Sequence, residues 1–140
     1  MPRFNYLTAL ACEDIRREDN GKLIVVGAFA SNIQFASFPA VAVLAFLVVA
    51  EAAEMGERHT KFQLLLDDAP IAQGSAAYAP DRPGRQLLRT PAIDIRFEKP
   101  SLLTFQVVDA DAAGNPLGDW VTLLTLPIEL PVNRPAGRSG

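Results

Sequence analysis

The feature that most limits what this chain can fold into is its punctuation. Eleven prolines and nine glycines punctuate the 140 residues, and no long segment sustains a helical apolar period. Between the breaks lie runs of strand length, many of them alternating or aliphatic: 4–16, 22–35, 41–51, 60–67, 71–79, 92–98, 102–109 and 117–130. The bends have backbone reasons of their own. Asn20 and Gly21 tolerate the positive φ of a tight hairpin, Asp67-Asp68-Ala69-Pro70 spells a second turn, and Gly114-Asn115-Pro116 a third. Strands at such spacing predict an all-β chain: a single antiparallel β-sandwich, immunoglobulin-like or C2-like, of about seven to nine strands. It is expected to occupy residues 1–131, and the polar tail 132–140 to be disordered. One competing element is a short helix over AEAAEMGERH, Ala50 to His59, on its Ala and Glu content. Tyr78 to Pro91, with three prolines and three arginines, reads as a surface loop.

Two runs, LIVVGAF and VAVLAFLVV, are apolar at successive positions. Strands of that kind have two greasy faces, which calls for a covering sheet and invites a partner subunit. The longest apolar run, Ala40 to Ala50, is eleven residues, well short of the roughly 20 a membrane helix needs. No membrane partner is expected. A net charge of -3 and a pI of about 5.1 disfavour nucleic acid, which is held by clustered Lys and Arg. The single cysteine, Cys12, excludes an internal disulfide and points to the reducing cytoplasm.

Chemistry is constrained by scarcity. The chain has one histidine, His59, and one cysteine, too few for a Cys/His zinc site and without the context of a nucleophilic triad. His59 lies in the polar run GERHTK and reads as an exposed residue. Carboxylates are plentiful, but Glu13-Asp14, Asp67-Asp68 and Asp109 with Asp111 all fall at turns or strand ends, where acids are common anyway. DADAAGNPLGD, Asp109 to Asp119, has acids at its first and third positions and glycine at its sixth, the spacing of a calcium loop. Trp120 stands where that loop would end in a bidentate glutamate, so Asp109, Asp111 and Asp119 are weak calcium candidates beside a plain hairpin turn. Arg82, Arg85 and Arg89 offer a small anion patch or, more simply, solvated loop charges. No phosphate cradle exists. Gly27, inside LIVVGAF, marks a bulge or a close approach. No cofactor is expected.

EDIRREDNGK, Glu13 to Lys22, packs seven charges into ten residues between two apolar runs. With Asn20-Gly21 as a two-residue loop, Asp19 faces Lys22, Glu18 faces Leu23, Arg16 faces Val25 and Asp14 faces Gly27, which leaves room beside Asp14. Alternation puts Asp14, Arg16 and Glu18 on one side and Glu13, Ile15 and Arg17 on the other. The cluster fixes register and keeps an edge in water; the functional alternative is a polar recognition spot of Asp14, Arg16, Glu18 and Lys22. The run Cys12 to Pro39 resembles the opening of an uncharacterised family of small bacterial proteins, through Asp14, Ile15, Arg16, Glu18, Gly21, Lys22, Gly27, Phe38 and Pro39. That resemblance implies that the hairpin is a family feature and brings no activity with it.

The function expected is therefore a soluble, non-enzymatic module that binds another protein or its own copy through a sheet face or edge. The rival expectation is calcium-dependent binding, or carboxylate-based hydrolysis, at the Asp109–Asp119 loop.

Overall fold

The computed structural model describes residues 3–131, and among them there are ten strands and no helix. The strands are β1 (Phe4–Arg17), β2 (Leu23–Phe29), β3 (Ile33–Gln34), β4 (Ala40–Ala52), β5 (Arg58–Leu66), β6 (Ala69–Tyr78), β7 (Gly84–Arg89), β8 (Ile93–Phe97), β9 (Ser101–Ala110) and β10 (Val121–Glu129). They make two curled sheets of five. The first runs β2-β1-β4-β7, with β8 also on β4; the second runs β3-β10-β9-β5-β6.

The all-β reading holds, with corrections. Ten strands exceed the expected seven to nine, and the arrangement is not purely antiparallel, because β3 runs parallel to β10 through Ile33↔Ile128 and Gln34↔Glu129. The stretch 78–91, expected as loop, contains β7, which pairs with β4 from Leu47↔Arg89 to Ala52↔Gly84. The Ala50–His59 segment forms no helix: β4 continues to Ala52 and β5 starts at Arg58. Its one helical lever, propensity, is weak against the ladder on either side. The tail 132–140 lies outside the described residues.

The charge-block hairpin is also one residue out from its expected register. Observed pairs are Arg17↔Leu23, Arg16↔Ile24, Ile15↔Val25 and Asp14↔Val26. The loop is three residues, closed by Glu18 N donating to Lys22 O (2.8 Å) and Gly21 N to Glu18 O (2.9 Å), and only Gly21 takes positive φ, +85°. That is a turn followed by a glycine bulge, not a two-residue turn. The two-residue type appears instead at Asp67-Asp68, both at positive φ, with Leu66 facing Ala69. Asp111 to Asn115 repeats the hairpin's three-residue design, with Gly114 at +87°.

The main core lies between the sheets. Leu44, Phe46, Val48 and Ala50 project inward from β4, and Phe62, Leu64, Leu103, Phe105, Val107 and Leu126 meet them from the other sheet. Phe46 and Phe105 stack across the divide at 4.2 Å; each buried side chain of that size contributes about 1.5–3 kcal/mol. The outward face of β4 is covered within the chain only over its middle. Outward-facing Ala45 joins Cys12 and Ile15 in a second cluster, with Leu23, Val25 and Leu47 packed on it, so the hairpin folds its apolar side over the outer face of the first sheet.

Polar ties close the ends. Arg58, fully buried, donates to the carbonyls of Gly56 (3.2 Å), Arg3 (2.9 Å) and Glu54, and its guanidinium lies 4.8 Å over the Phe4 ring. Nothing in the sequence marks it, because its partners are backbone atoms. Among the described residues no helix is long and apolar enough to cross a membrane.

Candidate functional site

The sequence candidates scatter. Asp14 and Arg16 do meet, Arg16 Nε to Asp14 Oδ2 at 3.0 Å, on an exposed surface. That bond first, and the Ile15 amide with it, holds the Asp14 carboxyl below the usual carboxylate range. Glu18 and Lys22 face each other through backbone alone, and no side-chain ion pair joins either among the described residues. The space over Gly27 is taken by Glu13 rather than lying open beside Asp14: a Cβ built there would sit 2.7 Å from Glu13 Cδ, and φ is +66°. Gly27 is thus the close approach the sequence suggested.

The calcium candidates are occupied with the protein itself. Asp109 Oδ1 accepts from Tyr6 Oη (2.9 Å) and from Phe4 N (3.2 Å). Asp111 Oδ1 accepts from the amides of Ala113 (2.9 Å) and Asn115 (2.8 Å). The Asn115 amide and side chain are the main reason its carboxyl is held low. Asp119 is exposed at the far end of the loop. Among the described residues no three His, Cys, Asp or Glu side chains gather as a metal site would require. His59 reaches only Glu57, at 3.6 Å. The Cys12 thiol is buried, and burial pushes its pKa up, which lowers its thiolate fraction and its reactivity.

Two other features are built by the fold. The outward faces of the two sheets differ. On the second sheet Gln73 donates to Gln63 (3.0 Å), Gln63 to Gln106 (2.7 Å) and Gln106 to Thr122 (3.0 Å), a polar ladder across four strands. On the first sheet the outward positions include Val41, Val43 and Leu87, 57%, 45% and 52% exposed. At one end of this face stand Asp94 and Arg96, opposite Val43 and Val41; at the other stand Glu51 and Arg85, 3.8 Å apart.

The second feature is a cleft of about 510 Å³ where the sheets part, between the edge strand β6 and the link from β7 to β8. Its origin is local. β6 presents Ala72, Gly74 and Ala76 opposite Leu64, Phe62 and Thr60, so this edge contributes almost no inward side chain. Facing it, β4 changes partner: it pairs with β7 from Leu47 onward and with β8 up to Leu44. Thr90 bridges the change, its amide donating to Phe46 O (3.0 Å) and its hydroxyl accepting from Phe46 N (2.9 Å). Phe46, Phe62 and Phe105 make the floor. Arg17 and Arg89 are the charged residues in the lining. Of these the sequence had singled out only Arg89, as part of an arginine patch; Arg85 and Arg89 in fact diverge, since Arg89 Nη1 donates to Ile15 O at 3.4 Å.

An all-β protein whose two sheets part along one side over an aromatic floor is the class these observations define. The chain belongs to the Family of unknown function (DUF6941), whose model matches residues 7–111, more than half of its length. The match includes the charge-block hairpin and the cleft residues. Comparison with curated proteins gives no match.

Proposed function

We propose that the protein is a non-catalytic interaction module, a β-sandwich in the cytoplasm that self-associates through the outward face of its first sheet. The observation that carries this reading is the contrast between the sheets: the second sheet's outward face is spanned by a hydrogen-bonded glutamine ladder, whereas the first exposes Val41 and Val43 side by side on β4, with Leu87 beyond the hairpin-covered Ala45. Exposed aliphatics of this kind gain about 1.5–3 kcal/mol each when fully covered. A second copy suits the face because both ends carry both signs, Asp94, Arg96 and Glu98 at one, where Arg96 already pairs with Glu98 at 2.6 Å, and Glu51 with Arg85 at the other. A two-fold axis that sets β4 strands antiparallel brings Asp94, which makes no ion pair among the described residues, toward the Arg85 end of the second copy.

Sedimentation equilibrium across a concentration series tests it. A dimer that weakens steeply in Val41→Lys with Val43→Lys, both on exposed positions and so harmless to the fold, is the expected result. A wild-type mass that stays that of one chain at every concentration refutes it. Calcium binding or hydrolysis at the Asp109–Asp119 loop is not favoured, because Asp109 and Asp111 already have protein partners.

A further inference from the structure

The cleft combines three properties that do not follow from packing alone. It is open inside: a Cβ added to Gly74 would meet no atom within 4 Å, and its φ is not in the left-handed region. A stable interior normally leaves few voids larger than a water, whereas about 510 Å³ here lies within the range of small-molecule sites, roughly 300–1,000 Å³. Its floor is apolar, made of the edges of a stack of three rings, Phe46 on Phe105 at 4.2 Å and Phe105 on Phe62 at 6.0 Å, all of them buried. Its charged lining has a single sign, Arg17 and Arg89, with no Asp or Glu.

Among the described residues neither arginine makes an ion pair with a carboxylate, although after Arg16 the Arg89 charge also helps to hold the Asp14 carboxyl low. Arg89 uses one long hydrogen bond to the Ile15 carbonyl, and a guanidinium has five donors in a fixed fork suited to a carboxylate. The nearest acid on the hairpin, Asp14, is paired with Arg16. We propose that the cleft binds a single-chain organic acid, its aliphatic tail on the phenylalanine floor and its carboxylate held by Arg17 and Arg89. The tail explains the apolar chamber and the head explains the cations at its mouth. Of the polar residues in the lining, Thr90 faces the floor, its hydroxyl accepting from Phe46 N. This site goes beyond self-association, which rests on Val41 and Val43 of β4; Leu87 of β7 borders both surfaces.

Calorimetric titration of the full chain with decanoate, kept below its micelle-forming concentration, is the test, with decyltrimethylammonium as the tail-matched cation and octyl glucoside as the neutral control. Decanoate is expected to bind, the cation to bind at least about tenfold more weakly, and Arg17→Gln with Arg89→Gln to weaken decanoate by about tenfold while leaving octyl glucoside unchanged. Gly74→Leu, which fills the chamber, should abolish decanoate binding. Should that variant fail to fold, amide shifts of the wild-type protein serve instead: decanoate is expected to move Gly74, Ala76 and Thr90. No heat with decanoate up to millimolar concentration overturns the proposal, as does equal affinity for the cation. A folded Gly74→Leu that still binds, or amide shifts confined to residues outside the cleft, overturns it as well.

Discussion

Replacing Tyr6 by Phe tests what Asp109 is for. Tyr6 sits on β1 of the first sheet, and its hydroxyl lies 2.8 Å from Thr60 Oγ1 on β5 and 2.9 Å from Asp109 Oδ1 on β9, both in the second sheet. Burial, helped by the Asp109 charge, keeps this phenol's pKa well above its ordinary value, so it remains a donor. Tyr6→Phe leaves the ring packing, including the contact with Phe4 at 5.8 Å, and removes only the oxygen. A hydrogen bond to an ionised group contributes about 1.5–3 kcal/mol and a neutral one about 0.5–1.5. Asp109 is half-buried and keeps the Phe4 amide, so water recovers part of the first; Thr60 is fully buried and recovers nothing. The expected loss is about 2–3 kcal/mol. In urea, with m of about 1–3 kcal/mol per molar, the midpoint should fall by about 1–2 M. Asp109→Ala should cost a similar amount in calcium-free buffer, and the double variant should fall well short of the sum, since both changes remove one interaction. A Tyr6→Phe effect under about 0.5 kcal/mol, or strict additivity, refutes the inter-sheet tie.

Three further outcomes are expected. The chain's two tyrosines are both shielded by burial, Tyr78 with its pKa pushed up to about 12 and Tyr6 further. Their folded values lie above the unfolded one near 10, so the stability they contribute is complete below about pH 10 and is lost as pH rises toward and past the folded values. Tyrosinate absorbance that grows with a midpoint near 10 while the fold persists contradicts this. Arg58→Leu should destabilise by about 2–4 kcal/mol, as three carbonyl acceptors lose a charged donor and must find water; an unchanged urea midpoint counts against the arginine tie. Gly27→Ala should cost about 1 kcal/mol, chiefly for the left-handed φ. Adding Glu13→Ala should recover little, because the Glu13 side chain can swing aside; full recovery would show that crowding, not φ, sets the cost.

How much of this was legible depended on whether the deciding contact was local. Turns at 67–70 and 111–115 and the close approach at Gly27 could be read because each depends on a few adjacent residues. The hairpin register could not. Leu23, Ile24, Val25 and Val26 are all aliphatic, so β2 offers two similar faces, and a pattern that looks the same after a one-residue slip specifies register weakly. Asn-Gly suits a two-residue loop or a three-residue loop with a glycine bulge equally well. β7 was hidden because its six residues are framed by prolines and arginines and become a strand only by pairing with β4. The parallel β3–β10 pair joins segments 95 residues apart at Ile33 and Ile128. Asp109 was read as a calcium candidate since its true partner, Tyr6, lies 103 positions away. The cleft did leave a trace: Ala72, Gly74 and Ala76 alternate in a strand where Val or Leu would have filled the space.

The charge block can be understood through the two sides of its hairpin. Alternation places Ile15 and Arg17 on the side that folds over the outer cluster, where Ile15 packs with Cys12 and Ala45. Because Ile15 is buried there, Arg17, two residues on, is carried to the mouth of the cleft, and the Ile15 carbonyl is the atom that steers Arg89 to the same place. Asp14 pairs with Arg16 on the exposed surface, and the Arg89 charge also acts on it. An acid at position 15 would stand two positions from Arg17, on the residue whose carbonyl receives Arg89, and would weaken the field that favours an anion. The order Asp-Ile-Arg-Arg at residues 14–17 therefore separates a self-satisfied surface pair from a free cation. Exchanging Ile15 and Asp14 should both expose the Cys12 cluster and remove the preference of the cleft for decanoate over its cationic counterpart.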